Sequence, residues 1–272
     1  MLSEWCNPPL ALRAGFDMDF YLNVIGNGYS TLMRDYLNQS GEAHSYFKKD
    51  AGGNINCFLD EYLRWYADTK GKGYISLLTC NHDTPRPRNN LNEAELKLVY
   101  AFLFTMPGVP FLYYGDEIGM RYLPLPTKEG GYFRTGSRTP MQWDSSTNLG
   151  FSEVRKEDLY LPVDSADDAP TVEEQEKDPS SLLHTVRDIL ALRHRYEDLQ
   201  ADADFSVICS EPGKPFIYQR GKLILALNPN SQSSMVPVAQ NQKKVLYQIG
   251  DADFGKGVLT LGGQSFVVLE SV

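Results

Sequence analysis

Near its centre the sequence reads Val109-Pro110-Phe111-Leu112-Tyr113-Tyr114-Gly115-Asp116-Glu117, and this segment is the best starting point for predicting the architecture. A short apolar run that ends directly in polar residues is typical of a buried strand with functional side chains at its carboxyl end. Three further runs have the same form. They are Leu2-Ser3-Glu4-Trp5, Ala14-Gly15-Phe16-Asp17-Met18-Asp19-Phe20, and residues 74–79 leading into Asn81-His82-Asp83. The four runs predict four strands of one sheet.

Segments with helical periodicity separate these runs. We predict helices over residues 29–37, 55–67 and 93–105, with Gly108 as a stop signal after the last. A fourth helix is expected from about residue 180, with Asp178 as its N-cap and Pro179 at its first position. The alternation of strands and helices predicts an α/β fold with a parallel sheet. Residues 116–177 show little periodicity and are expected to form a long functional loop.

From about residue 201 the pattern changes to short strands separated by turn signals. The predicted strands are residues 205–210, 215–220, 222–227, 244–249, 258–261 and 265–269. Gly262-Gly263 predicts a hairpin between the last two strands. The sequence therefore predicts a small antiparallel β-sandwich over residues 201–272, after an α/β unit over residues 1–200.

Composition excludes several classes of partner. The formal net charge is −9 and no basic run is present, which argues against binding to nucleic acid. No apolar run reaches the roughly 18 residues that cross a bilayer, and no signal peptide is recognisable. The four cysteines are widely spaced: Cys6, Cys57, Cys80 and Cys209. We expect reduced, mostly buried thiols and a cytoplasmic location.

Three polar clusters lie at predicted strand ends: Glu4-Trp5, Asn81-His82-Asp83 and Gly115-Asp116-Glu117. Cleavage of a glycosidic bond needs one carboxylic acid to protonate the leaving oxygen and a second carboxylate to attack the sugar or activate water. Carboxyl groups at several strand ends fit this chemistry. Taken singly, each cluster has a simpler reading, as a solvated glutamate, a common His-Asp pair or an ordinary turn.

The joint pattern resembles glycoside hydrolase family thirteen, the α-amylase family, and is closest to its oligo-α-glucosidase and trehalose-synthase-like members. The resemblance is carried, in order, by Glu4-Trp5, Gly15-Phe16-Asp17-Met18-Asp19-Phe20, Asn81-His82-Asp83-Thr84-Pro85-Arg86, residues 108–120 and Arg138-Thr139-Pro140-Met141-Gln142-Trp143-Asp144. It implies the C-terminal half of a (β/α)8 TIM barrel, with strands five to eight and a long loop within residues 1–200. The sandwich over residues 201–272 fits the C-terminal domain of that family.

The resemblance also implies roles for individual residues. Glu4 would be the general acid/base, and its neighbour Trp5 is expected to desolvate it and keep it protonated. His82 and Asp83 would hydrogen-bond ring hydroxyls, with Asp83 stabilising the transition state. The implied substrate-binding residues are Trp5, Arg86, Asp116 and Glu117. For Arg86 two readings are open: it helps to orient its loop, or it forms a salt bridge with no catalytic meaning. No metal ligand or cofactor is assigned, and calcium binding is left open.

One departure from the family concerns the nucleophile. The family places it in a Gly-Phe-Arg-x-Asp motif on the fourth strand, before the acid/base, and only three residues precede Glu4. The segment Gly15-Phe16-Asp17-Met18-Asp19 imitates that motif, but it has Asp17 where the arginine belongs and it follows Glu4. We interpret it as the sixth strand. The resemblance therefore implies a fragment of a longer protein, a chain that pairs with a separate half-barrel, or self-association.

Three functional hypotheses follow. The leading one is part of a retaining α-glucosidase or transglucosidase that acts on α-linked oligosaccharides and is inactive without the N-terminal half of the barrel. The second is a non-catalytic amylase-like protein that binds sugar or assembles with a partner. The third is a half-barrel of unrelated function. The presence of Glu4, His82 and Asp83 together favours the enzyme, because a purely structural role needs none of them.

Overall fold

A computed structural model describes residues 1–22, 28–33, 45–50, 52–128, 134–238 and 243–271. The helices are α1 (Pro8–Arg13), α2 (Gly28–Met33), α3 (Asn56–Thr69), α4 (Glu93–Thr105), α5 (Val172–Lys177) and α6 (Leu182–Arg195). The strands are β1 (Leu2–Ser3), β2 (Met18–Phe20), β3 (Tyr74–Ser76), β4 (Phe205–Cys209), β5 (Phe216–Arg220), β6 (Leu223–Asn228), β7 (Ser234–Pro237), β8 (Lys243–Ile249), β9 (Ala252–Gly255), β10 (Val258–Leu261) and β11 (Ser265–Ser271). The predicted helix over 29–37 begins one residue earlier, and its part beyond residue 33 lies outside the described residues.

The first three strands form a parallel sheet in the order β1-β2-β3. The run at 109–114 extends it through a single parallel bridge between Leu78 and Phe111, not through a full strand. Its backbone is still tied to the sheet, because the Phe111 amide donates to the Leu77 carbonyl at 2.8 Å. The predicted parallel α/β arrangement is confirmed for these four neighbouring segments. Their carboxyl ends consequently lie at one edge of the sheet.

Helix α4 has the bounds that its periodicity predicts. Asn92 caps it by accepting from the Glu95 amide at 3.0 Å, and the Glu95 carboxylate accepts from the Asn92 amide at 2.7 Å. Beyond its end, Gly108 has φ +86°, and a Cβ there would lie 2.0 Å from the Ile75 carbonyl oxygen. Gly108 is therefore needed where the chain passes closely against β3, in addition to stopping the helix.

The start predicted for the fourth helix is wrong. Ser181, not Asp178, caps α6, and its hydroxyl accepts from the His184 amide at 3.3 Å. Asp178 instead ends the short helix α5, which the sequence analysis did not predict, and its carboxylate accepts from the Ser180 amide at 2.8 Å. Several adjacent residues here are good caps, so the pattern alone does not choose between them.

The predicted antiparallel strands after residue 201 are confirmed. They form a five-stranded sheet in the order β4-β5-β6-β11-β8 and a three-stranded sheet in the order β7-β10-β9, with a hydrophobic cluster that contains residues of both. Strands β7 and β9 were not predicted. The hairpin predicted at Gly262-Gly263 is wrong, because β10 and β11 belong to different sheets. This glycine pair connects the two sheets.

The β-domain packs directly on α4. The ring of Phe102 lies 6.2 Å from that of Phe216 and 6.4 Å from that of Tyr218, centroid to centroid. The buried Arg220 side chain donates to the Thr105 and Gln200 carbonyl oxygens. Apolar rings and a buried guanidinium therefore join the β-domain to the α/β part of the chain.

All four cysteines are free thiols, as expected. Their predicted burial is wrong for Cys57, which is exposed, while Cys80 is buried and the other two are half-buried. Within the described part of the chain, no helix combines the length and apolar character that a bilayer crossing requires.

Candidate active site

The strand ends bring two of the predicted clusters into direct contact. The Asn81 side-chain amide donates to Glu4 Oε1 at 3.2 Å, and Asn81 Oδ1 accepts from the Asp83 backbone amide at 3.0 Å. Asn81 therefore joins the glutamate after β1 to the loop after β3 that carries His82 and Asp83. Asn81 stands beside the His-Asp pair in the sequence, but its link to Glu4 was not predicted. Glu4 consequently lies next to the loop that carries Asp83.

Two arginines hold the loop that carries the His-Asp pair. Arg138 Nη2 lies 2.9 Å from Asp83 Oδ1, and Arg134 Nε lies 3.1 Å from the same oxygen. Arg138 Nε also donates to the His82 carbonyl at 2.8 Å, and His82 Nε2 lies 3.5 Å from Asp83 Oδ1. The long loop thus returns to the strand ends. Arg138 opens the Arg138-Thr139-Pro140-Met141-Gln142-Trp143 string, and its contact with Asp83 was not predicted.

Asp19 on β2 holds the turn that carries Glu4. Its side chain is 0% exposed, and its two oxygens accept from the Trp5 amide at 2.9 Å and the Asn7 amide at 2.7 Å. Between these residues, Cys6 has φ +60°, a conformation that costs a non-glycine residue energy. Both carboxylate oxygens of Asp19 are engaged in the turn. This agrees with the interpretation of its segment as a strand and not as a displaced nucleophile.

Arg86 and Asp116 form a buried ion pair beneath the site. The side chains are 0% and 1% exposed, and Arg86 Nη1 lies 2.9 Å from Asp116 Oδ1. The second oxygen of Asp116 accepts from the Thr79 hydroxyl at 2.6 Å, and Arg86 also donates to the Tyr114 and Ser137 carbonyls. Neither side chain reaches the surface. The geometry therefore favours a buried salt bridge for Arg86, which also holds the Tyr114 and Ser137 backbone, and gives Asp116 the same supporting role.

The remaining predicted residues lie at or beside the surface. Glu4 is exposed and Trp5 is 61% exposed, so the expected desolvation of Glu4 by Trp5 is not observed. Glu117 is half-buried, and desolvation raises the pKa of its carboxyl group, with Asp116 nearby adding to the rise. Glu117 lines a hollow next to Arg138 and does not contact Glu4 or Asp83 through any described hydrogen bond. Arg138 also contacts Asp83, so Glu117 lies on a hollow that adjoins the loop with the His-Asp pair.

The arrangement offers a polar edge suited to a polyhydroxyl ligand. Glu4 presents an exposed carboxyl group, and His82 and Asp83 present an imidazole and a carboxylate on the adjoining loop. Asn81 keeps the two loops in register. A carboxyl group that donates a proton and a carboxylate that accepts hydroxyl hydrogens are the groups that glycoside cleavage uses.

Comparison with known proteins gives a consistent result. The family model of the α-amylase catalytic domain matches residues 38–202. The chain is 29% identical over 192 residues to the probable oligo-1,6-glucosidase 2 of Bacillus subtilis, covering 58% of this chain and 34% of that protein. It is 36% identical over 135 residues to the mouse amino acid transporter heavy chain SLC3A1, covering 49% of this chain and 19% of that protein. The chain thus spans about a third or less of these relatives.

The solved structures agree in fold. The crystal structure of the α-amylase from H. orenii superposes with a TM-score of 0.75 at 20% identity, and the match covers 100% of this chain and 53% of that one. At this identity the match concerns architecture alone. Both the helices and strands around the site and the β-domain lie within the matched region, since the whole chain is covered.

Proposed function

The chain belongs to the α-amylase family, and from this premise we propose that it forms the C-terminal part of a retaining α-glucosidase-type glycoside hydrolase. The proposed substrates are oligosaccharides with α-glucosidic bonds. The observation that carries the proposal is the hydrogen-bonded connection from Glu4 through Asn81 to Asp83. A structural role alone gives no reason for an exposed carboxyl group to be held against a second acidic loop.

In the proposed mechanism Glu4 is the general acid/base. It protonates the leaving glycosidic oxygen, and after the first step it accepts a proton from the attacking water or from an acceptor sugar hydroxyl. Asp83 and His82 accept and donate hydrogen bonds to the ring hydroxyls, and these bonds strengthen as the sugar approaches its oxocarbenium-like transition state. The chemistry uses side chains alone, and we propose no cofactor.

We further propose that this chain contributes only part of the catalytic site. A retaining mechanism needs a carboxylate nucleophile as well as an acid/base. Asp19 is engaged by two backbone amides, and Asp83 lies against two arginines. The nucleophile would come from a further segment that supplies strands one to four of the barrel. That segment would cover the exposed residues Leu2 and Leu112 on the outer segments of the sheet.

The proposal is tested by supplying the proposed N-terminal segment from a relative. The chain is co-expressed with an N-terminal barrel half from an oligo-1,6-glucosidase, and hydrolysis of 4-nitrophenyl α-glucoside is measured. We expect no turnover by the chain alone and turnover by the pair. Glu4→Gln should reduce the rate by about a hundredfold or more, since removal of a general acid alone costs this much. Asp83→Asn should reduce it by about as much, because it weakens hydrogen bonds that strengthen in the transition state. Glu153→Gln, at an exposed glutamate, is the control and should leave the rate unchanged.

Two results would contradict the proposal. Turnover by the purified chain alone that Glu4→Gln abolishes would show that the chain supplies a complete site. Turnover by the pair that survives Glu4→Gln would remove Glu4 from the mechanism.

A second candidate function is supported by the similarity to the amino acid transporter heavy chain. A non-catalytic protein on this scaffold would bind sugar, or assemble with a partner or a second copy of itself, without cleaving a glycoside. It predicts binding of maltose by the reconstituted pair with no release of glucose. A cytoplasmic location is proposed for either function, in keeping with the four free thiols.

A further inference from the structure

A buried aspartate lies next to the turn that carries Glu4. The turn consists of residues 4–7, between the end of β1 and the start of α1. Asp19 on the neighbouring strand β2 pairs in register with Ser3 on one side and with Ile75 of β3 on the other. Asp19 therefore lies on the middle strand of the three, beside the residue that precedes Glu4.

The carboxylate of Asp19 is an unusual choice for this position. Its side chain is 0% exposed, and strands of a buried parallel sheet ordinarily carry apolar residues at such places. Burying a carboxylate is costly unless hydrogen bonds compensate it. The described hydrogen bonds to Asp19 come from two backbone amides of the turn, that of Trp5 at 2.9 Å and that of Asn7 at 2.7 Å. The charge therefore acts on the turn, and packing alone gives no reason for it.

The backbone of the turn has the form of an anion site that Asp19 fills. Between the two donors, Cys6 has φ +60°, a conformation that residues other than glycine adopt at a cost in energy. Backbone N–H groups next to a left-handed residue form concavities that bind anions. Two hydrogen bonds to a charged acceptor offset the cost at Cys6. Loss of the carboxylate would consequently free the turn to relax.

The first of these hydrogen bonds acts on Glu4 directly. The Trp5 N–H and the Glu4 carbonyl belong to one planar peptide unit. Because Asp19 fixes the direction of that N–H, it also fixes the backbone dihedral angle ψ of Glu4. The Glu4 side chain is exposed, and its described hydrogen bond comes from the Asn81 amide at 3.2 Å. The location of the Glu4 carboxyl group thus depends strongly on how its backbone is held.

We propose that Asp19 is a positioning residue for Glu4, because it holds the Glu4–Trp5 peptide unit in the orientation that directs the Glu4 carboxyl group at a bound glycoside. The inference rests on the proposed role of Glu4 as general acid/base. Asp19 does not touch the substrate, since its side chain is fully buried. Its contribution is geometric, because a proton donor must lie within hydrogen-bonding reach of the leaving oxygen and a small displacement slows the transfer.

The pair formed by this chain and an N-terminal barrel half tests the inference with two substrates. Maltose has a sugar alcohol as its leaving group, which needs a proton from Glu4. α-Glucosyl fluoride releases fluoride, which needs much less help from an acid. In Asp19→Asn the side chain keeps its size, but its NH2 group faces one of the two donors. We expect kcat on maltose to fall by about tenfold or more, since a misplaced catalytic group costs at least this much.

Azide gives a readout that a merely structural role would not change. It attacks the anomeric carbon of the glycosyl-enzyme without a general base, so that glucosyl azide forms and the nucleophile carboxylate is released. With α-glucosyl fluoride and azide together, neither step needs Glu4. The rate of Asp19→Asn should then return to within about threefold of the parent, and that of Glu4→Gln should recover in the same way. A loss of folded protein or of substrate binding would not respond to azide.

Glu95→Gln is the matched control. Glu95 is also buried, at 1% exposed, and its oxygens also accept from two backbone amides, those of Lys49 at 3.0 Å and Asn92 at 2.7 Å. Its described hydrogen bonds do not involve Glu4. The control should lose stability, yet it should keep the parent's ratio of rates on the two substrates and respond to azide no more than the parent does.

Hydrogen exchange on the purified chain checks the two hydrogen bonds without any turnover. The Trp5 and Asn7 amide protons should be protected in the parent and should exchange at least about tenfold faster in Asp19→Asn. Rapid exchange of both amides in the parent would overturn the inference even if the variant does not fold.

The kinetic outcomes separate this inference from the proposed function. An undiminished rate of Asp19→Asn on maltose, or an equal loss on both substrates that azide does not restore, refutes the positioning role alone when Glu4→Gln shows the expected dependence on leaving group and azide. If Glu4→Gln lacks that dependence, or the pair has no turnover, the proposed role of Glu4 fails and the inference fails with it.

Discussion

The buried pair of Arg86 and Asp116 gives the sharpest prediction about stability. Arg86→Met keeps an unbranched apolar stem but removes three hydrogen bonds, to the Tyr114 carbonyl at 2.6 Å, to Asp116 Oδ1 at 2.9 Å and to the Ser137 carbonyl at 3.1 Å. Asp116 then keeps only the Thr79 hydroxyl as a side-chain donor. Because a buried carboxylate loses its counter-ion, the variant should lose about 3–5 kcal/mol of unfolding free energy.

The assay is urea unfolding of the purified chain, followed by tryptophan fluorescence and far-UV circular dichroism. The double variant Arg86→Met/Asp116→Asn should be more stable than Arg86→Met alone, since it removes the stranded charge. Arg155→Met breaks an exposed pair with Asp158 and should stay within about 0.5 kcal/mol of the parent. A loss below about 1 kcal/mol for Arg86→Met, or a double variant less stable than the single one, would refute the reasoning.

Three further predictions use the same unfolding assay. Asp19→Asn should lower the free energy of unfolding by about 1–3 kcal/mol, because the amide NH2 replaces one of two buried acceptors. Asp60→Asn, on the exposed face of α3, should leave the free energy of unfolding unchanged. Burial raises the pKa of the Glu117 carboxyl group, so the folded state loses stability as pH rises from the ordinary glutamate pKa through the raised one. Glu117→Gln removes this ionisation. The variant should therefore melt at a higher temperature than the parent at pH 7 and show no such gain near pH 4. An unchanged melting temperature at pH 7 would contradict this. Gly108→Ala should lower the free energy of unfolding by about 3 kcal/mol or more, because its Cβ would meet the Ile75 carbonyl oxygen. Gly213 also has a positive φ, but a Cβ there would meet no atom within 4 Å. Gly213→Ala should therefore lower the free energy of unfolding by only about 1 kcal/mol.

Local patterns were sufficient for the regular elements. The periodicity of residues 93–105 predicts α4 because one helix must bury a continuous apolar face, and its Asn92 cap agrees with that start. The alternation of four apolar runs with helices predicts a parallel sheet, which places polar residues after each run at one edge. The same logic failed at α6, where neighbouring polar residues compete as caps, and at Gly262-Gly263, where turn chemistry does not say which sheet the next strand joins.

Local periodicity and motifs in a fixed order are enough to predict the family, the order of the elements and the polar residues that follow each strand. Which of those residues meet depends on the folded chain. It joined Glu4 to Asp83 through Asn81, buried Arg86 with Asp116, and left one oxygen of Glu117 without a partner. Burial and pairing depend on the side chains that distant segments bring together, and spacing along a single chain does not encode those distances.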